Sequence, residues 1–323
     1  MRAMPPLPRI ALTLGDPAGI GPEIGLAAAR DPRIRDALRI EVIGPESLRP
    51  PEIPLAGPRV DEAVSWHPTW APERWRMGAV QADCGRAALA ALRLGHELAL
   101  ARRVEALVTA PVSKEALHLA GEPVEGQTEL LGRWCGVTRF EMMAVAGRLR
   151  VLLLTRHMPL RDAIASITTE RVLSHLELFH ASLVGFGVPR PKLALAGLNP
   201  HAGEHGVLGR EDDELLLPAV QAARSAGIDV EGPLSPDTVF LQASQGRFDG
   251  VLALYHDQAF IPVKLLSHDG GVTVLAGLPY LRVSPVHGTA FDIAGTGRAS
   301  PENLIQALLL AGRWSAGAER GER

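Results

Sequence analysis

The chain has 323 residues, of which 46% are hydrophobic and 21% charged, enough for one large or two ordinary domains with real cores, which excludes a disordered chain. Aromatics are scarce at 4%, while Ala, Leu, Val and Gly are abundant, a mix that fits α/β layers and not an aromatic-rich β-sandwich. A formal net charge of -3 asks for neither nucleic acid nor an anionic membrane as partner, so any bound anion must be held by a local cluster.

In chain order, Met1-Arg2-Ala3-Met4-Pro5-Pro6 lacks an apolar signal core, and no later run approaches the ~18 residues of a membrane span, so a cytoplasmic, unprocessed protein is expected. Residues 9–14 read as a strand, followed by the glycine-rich turn Gly15-Asp16-Pro17-Ala18-Gly19-Ile20-Gly21-Pro22-Glu23 and an Ala-rich helix to Arg30. Residues 40–43 form a second strand, and the proline-crowded residues 45–72 an irregular excursion. A helix over 84–102 and a buried strand over 106–109 lead to Ser113, a candidate N-cap. Residues 140–146 and 148–155 form a hairpin around Gly147, then helices follow over 160–167 and 170–186. Strands at 193–196 and 251–255 alternate with helices at 211–226 and 237–243. The pattern is α/β with an antiparallel insertion.

Three of the eleven histidines occupy equivalent places: His157, His201 and His256 each follow an apolar, strand-like run. The carboxyl edge of an open α/β sheet is where ligands bind. Three imidazoles with an open position make a Lewis-acid site able to polarise a hydroxyl or carbonyl oxygen. Cys84 and Cys135 form no C-x-x-C pair, so a cysteine-built zinc site is excluded and both read as free thiols.

A cationic cluster comes next. Lys264, flanked by Val263, Leu265 and Leu266, reads as a charge in apolar surroundings that meets either a carboxylate or a ligand's phosphate, and Arg282 carries the same two readings. Asp16, Asp237 and Asp257 stand in loop-like surroundings, where a carboxylate ligates metal through water or orients a histidine; Asp237 fits a plain N-cap equally well. The order of glycines in the first turn is not G-x-G-x-x-G, and no ribose-binding acid follows at the usual spacing, so the turn is a poor dinucleotide fingerprint.

Together with Thr109-Ala110-Pro111-Val112-Ser113-Lys114, Gly126-Gln127-Thr128-Glu129, Asn199-Pro200-His201-Ala202-Gly203-Glu204, Tyr255-His256-Asp257-Gln258 and His287-Gly288-Thr289-Ala290, the glycine-rich turn resembles the 4-hydroxythreonine-4-phosphate dehydrogenase family over essentially the whole chain. The resemblance implies a two-domain α/β fold of the isocitrate and isopropylmalate dehydrogenase type, with non-Rossmann binding of NAD or NADP and a cleft between domains. The expected borders are 1–125 plus 290–323 for the first domain and 126–289 for the second. It further implies a homodimer with a shared active site. In that site His157 and His201 of one subunit and His256 of the other hold one divalent ion (Zn, Co or Mg), and Gln127, Thr128, Lys264, Thr273 and Arg282 bind a small phosphorylated hydroxy amino acid. Lys264, Asp257 and Asp237 are the candidate catalytic residues, with a metal-bound water as a further proton acceptor.

Two positions depart from the family pattern. Gln127 stands where the family commonly has histidine, and Thr273 matches a loop asparagine. Gln127 still donates and accepts hydrogen bonds but carries no proton at neutral pH. The alternatives are a dehydrogenase of sugar-acid 4-phosphates (threonate or erythronate) or of a dihydrodiol carboxylate, and, from another class, a non-redox metal-dependent phosphate-ester protein.

Overall fold

The computed structural model describes residues 6–57, 62–267 and 271–317. The strands are β1 (Arg9–Thr13), β2 (Arg39–Pro45), β3 (Val64–Thr69), β4 (Ala106–Thr109), β5 (Glu141–Ala146), β6 (Leu149–Leu153), β7 (Leu193–Ala196), β8 (Val230–Leu234), β9 (Gly250–Ala253), β10 (Val272–Ala276) and β11 (Leu281–Pro285). The helices are α1 (Gly21–Arg30), α2 (Pro32–Arg35), α3 (Ala82–Leu100), α4 (Lys114–Leu119), α5 (Gln127–Cys135), α6 (Leu160–Ala165), α7 (Thr169–Gly185), α8 (Leu217–Ser225), α9 (Val239–Ser244), α10 (His256–Leu266) and α11 (Glu302–Ser315). Two compact units divide the chain: unit 1 comprises the described residues up to Thr138 and Leu278–Ala316, and unit 2 comprises Arg139–Gly277. Unit 2 is thus shorter at both ends than the expected span 126–289, which leaves Gln127, Thr128 and Arg282 in unit 1.

In unit 1 the strands run parallel in the order β3-β2-β1-β4-β11. Ile10, Ala11 and Leu12 of β1 and Ala106, Leu107 and Val108 of β4 are fully buried, as parallel strands covered on both faces require. Helix α3 lies against β1 and β2, and α11 against β4 and β11. The approach of α3 is close because Gly95 leaves no room for a Cβ against Leu107, Thr13 and Ile43. The expected irregular stretch 45–72 holds a strand after all: β3 pairs with β2 from Ile40↔Val64 to Pro45↔Thr69. Its signal is masked by Pro68, which an edge strand tolerates, and only Ser65 and Trp66 are buried along it.

Unit 2 has the order β10-β5-β6-β9-β7-β8. The expected hairpin is β5 and β6, turning at Gly147 with φ 57°, and β10 adds a second antiparallel partner to β5. Strands β6, β9, β7 and β8 are parallel. Thr273 is therefore not in a loop: it is the second residue of β10, buried opposite Ala144. Phe179 of α7 is fully buried and packs so tightly onto β9 that a side chain at Gly250 would collide with its ring. The expected helix over 211–226 begins with a π-helical turn, Asp212–Leu216, before α8. Among the described residues no helix is long and apolar enough to cross a membrane.

Candidate active site

Unit 2 gathers the three histidines at one edge. His157 follows β6, His256 is the first residue of α10 after β9, and His201 lies in a helical turn, Pro200–Glu204, after β7. Because β6, β9 and β7 are parallel neighbours, all three follow carboxyl ends on the same side of the sheet. The rings of His157 and His256 stand with centroids 5.1 Å apart. Two imidazoles bound to one tetrahedral zinc at ordinary Zn–N lengths have centroids roughly 5 Å apart, so this pair fits a shared cation. Among the described residues of a single chain no group of three His, Cys, Asp or Glu side chains assembles for a metal, so His201 does not join the pair within one chain. The expected division places His256 in the second copy; within one chain, adjacent strands set it beside His157.

Asp257 Oδ1 lies 2.7 Å from His256 Nδ1. With a carboxylate there, Nδ1 carries the proton and donates, and Nε2 keeps the lone pair a cation needs. The His256 ring also stacks on Phe260, centroids 4.6 Å apart, which fixes its plane. Asp237 follows β8 at the same edge, accepts from Ser235 Oγ at 2.7 Å, and is not the N-cap of α9; that residue is Thr238. Lys264 corrects an expectation. On α10 Val263 faces the core, but Lys264, Leu265 and Leu266 face outward, with Leu265 81% exposed, so the lysine is an exposed charge 5.8 Å from the centre of the Phe260 ring.

Unit 1 holds the anion-binding candidates. Arg282, on β11, is buried, and its Nη2 donates to Thr109 Oγ1 at 2.7 Å while its Nε meets no acceptor among the described residues. Burial pulls the pKa of its guanidinium down to about 10, with Tyr280 and Glu129 acting in the opposite sense, so it stays charged at neutral pH. Gln127 opens α5, half-buried beside Thr128. Its Nε2 donates to Ala110 O at 3.1 Å, which leaves Oε1 buried without a partner among the described residues. A carbonyl neighbour forces that amide orientation. Arg282 and Gln127 thus hang from consecutive residues at the end of β4, one offering a cation, the other an acceptor.

The glycine-rich turn packs against protein. A Cβ at Gly15 would strike the Pro111 carbonyl, at Gly19 Thr289, and at Gly21 the Leu14 carbonyl. Asp16 N donates to Pro111 O and Ile20 N to Thr289 O, both at 3.0 Å. The glycines therefore serve close backbone approach, and the turn does not fit a pyrophosphate cradle. Asp16 is fully buried; Oδ1 accepts from Ala18 N at 2.9 Å and Oδ2 has no partner among the described residues. Burial raises its pKa from 3.8 to about 6, against the Ala18 hydrogen bond and the Ser113 backbone, which lower it. The folded state thus holds this proton to a higher pH than the unfolded chain does. The associated stability is complete below the unfolded pKa and lost as pH rises through the folded one, roughly 3 kcal/mol in all. Asp16→Asn is expected to remove that decline, so denaturant melts should show the variant gaining on the wild type between about pH 4 and pH 7; equal pH dependence would contradict it.

One positioning residue of the Tyr255-His256-Asp257-Gln258 block has no role among the sequence expectations. Gln258 Nε2 donates to Gly197 O at 2.8 Å and its Oε1 accepts from Leu254 N at 2.7 Å, tying the end of β7 to the end of β9. Its place directly after His256-Asp257, in the first turn of α10, is the available signal.

A profile described as pyridoxal phosphate biosynthetic protein PdxA matches residues 34–311. The 4-hydroxythreonine-4-phosphate dehydrogenase of Geobacter metallireducens is 42% identical, covering 94% of this chain and 94% of its own length. The D-threonate 4-phosphate dehydrogenase of Salmonella typhimurium is 41% identical over 94% of this chain and 97% of its own. The crystal structure of 4-hydroxythreonine-4-phosphate dehydrogenase from Klebsiella pneumoniae superposes with a TM-score of 0.87 at 38% identity, covering 95% of this chain and 99% of that one. With motif blocks joined by hydrogen bonds inside each unit and near-complete coverage by these relatives, the chain belongs to the PdxA family.

Proposed function

We propose that this chain is a divalent-metal-assisted, NAD- or NADP-linked dehydrogenase. It oxidises the C3 alcohol of 4-phosphooxy-L-threonine to a β-keto acid, which loses carbon dioxide to give 3-amino-2-oxopropyl phosphate, in the synthesis of pyridoxal 5'-phosphate. The observation that carries the reading is Arg282, a buried guanidinium with no carboxylate hydrogen-bonded to it among the described residues, which a substrate phosphate satisfies. Bound at His157, His256 and His201, a divalent cation supplies Lewis acidity toward the alcohol and the enolate, and the nicotinamide supplies the hydride acceptor. The chain's own residues do the rest. Asp257 holds the His256 tautomer, Arg282 and Thr128 orient the substrate, and Lys264, Asp257 and Asp237 are the groups available to take the alcohol's proton.

The two named relatives are almost equally similar, at 42% and 41% identity, so identity does not choose the substrate. Gln127 bears on it. Its free Oε1 requires a donor, and the ammonium of a hydroxy amino acid satisfies it with a charge-assisted bond where a sugar acid offers only a hydroxyl. A homodimer sharing the site is part of the reading, with His201 supplied by the second copy. It is supported by large exposed apolar side chains on the segments that carry the histidines: Met158, Val207 (77% exposed) and Ile261. An assay of NADH formation across phosphorylated four-carbon acids tests the whole: turnover of 4-phosphooxy-L-threonine above D-threonate 4-phosphate is expected, and NADH only from the sugar acid would overturn the substrate choice.

A further inference from the structure

His201 sits on unusual backbone. From His201 to Gly206 every residue has positive φ: 52°, 54°, 79°, 44°, 57° and 88°. This is a left-handed helical stretch of more than one turn, and four of its six residues carry side chains that disfavour it. Such a turn persists only where its surroundings over-determine it.

Asp212 supplies that surrounding. Its side chain is fully buried, Oδ1 accepts from Leu198 N at 2.8 Å, and Oδ2 accepts from Asn199 N at 3.1 Å and Asn199 Nδ2 at 2.9 Å. All three donors belong to the two residues that precede Pro200 and His201. The cradle is tight: a Cβ on Gly197 would stand 3.0 Å from Asp212 Oδ1, and one on Gly203, inside the left-handed turn, 3.4 Å from Oδ2. Asn199 Nδ2 also donates to Glu211 Oε2 at 2.8 Å, so the loop is pinned from both residues that open the π-helical turn. In the run Glu211-Asp212-Asp213-Glu214 only Asp212 is turned inward.

We propose that Asp212 is a positioning residue: its buried carboxylate fixes the backbone at 198–199, and through it the left-handed turn that presents His201, so cation binding depends on a side chain that does not touch the cation. This rests on the reading of His201 as a ligand. With its oxygens already taken by three N–H groups, Asp212 itself is not a ligand. Asp212→Asn keeps the shape but turns an NH2 group toward N–H donors.

The test is cobalt(II) titration of the full chain, followed by visible absorption, with amide hydrogen exchange on the metal-free protein. Asp212→Asn is expected to bind cobalt about 10- to 100-fold more weakly, as loss of an outer partner of a metal ligand does, with faster exchange at Leu198 and Asn199. Adding Ala202→Gly, which tolerates the left-handed φ, is expected to restore most of the affinity. Asn199→Ala, a milder change, is expected to weaken cobalt several-fold and serves if Asp212→Asn does not fold. His201→Ala separates the two readings. Cobalt binding unchanged in His201→Ala removes the ligand reading itself; loss there with wild-type binding in Asp212→Asn and Asn199→Ala overturns the positioning role alone.

Discussion

Arg282→Met is expected to yield a protein at least as stable as the wild type that no longer holds a phosphorylated substrate. The guanidinium is buried on β11 with one hydroxyl partner, Thr109 Oγ1, and burial lowers its pKa to about 10. A charge held there without an ion pair costs stability, and replacing buried ionic groups by apolar ones of similar length is often neutral or stabilising by ~1–4 kcal/mol. The same charge, desolvated in advance, is what binds an anion strongly. Truncating one partner of a buried charge pair typically costs ~2–5 kcal/mol, so a fall in kcat/KM on the order of 10²–10³ is expected, mostly in KM. Melting temperature and KM measured on the same preparation decide the matter. An unchanged KM with a lower Tm would make Arg282 a structural residue.

Much of this was legible in the residues, for identifiable reasons. Strands β6, β7 and β9 are covered on both faces and read as apolar runs, so the histidines that follow them stood out. That those strands are neighbours in the order β6-β9-β7 was not legible, because pairing is set by the whole sheet and β8, with Gly232 and Pro233, lacks a strand's composition. Lys264 was misread because apolar residues next to it in sequence lie up to about 160° apart around the helix, and only Val263 faces inward. Asp212 hid in an acidic run that resembles a solvated helix face; the π-helical turn that buries it has no signature in one sequence. The left-handed turn at His201 was equally silent, since only Gly203 and Gly206 hint at positive φ.

His256→Ala is expected to abolish NADH formation while leaving the fold intact. The ring is half-exposed at the first position of α10 and touches His157 and Phe260, so its removal should cost about 1 kcal/mol of stability or less. It is also the imidazole whose tautomer Asp257 fixes, so its loss removes the best-prepared cation ligand. Lewis-acid assistance is worth several kcal/mol in the transition state, which is a loss of about 10³-fold or more in kcat. Chelator treatment of the wild type should mimic the variant and be reversed by added zinc or cobalt. The most direct measurement is cobalt(II) titration, by visible absorption, of the wild type beside His157→Ala, His201→Ala and His256→Ala. Saturable binding in the wild type and its loss in all three variants is predicted; wild-type binding in any one of them would contradict the convergence of these imidazoles on one cation.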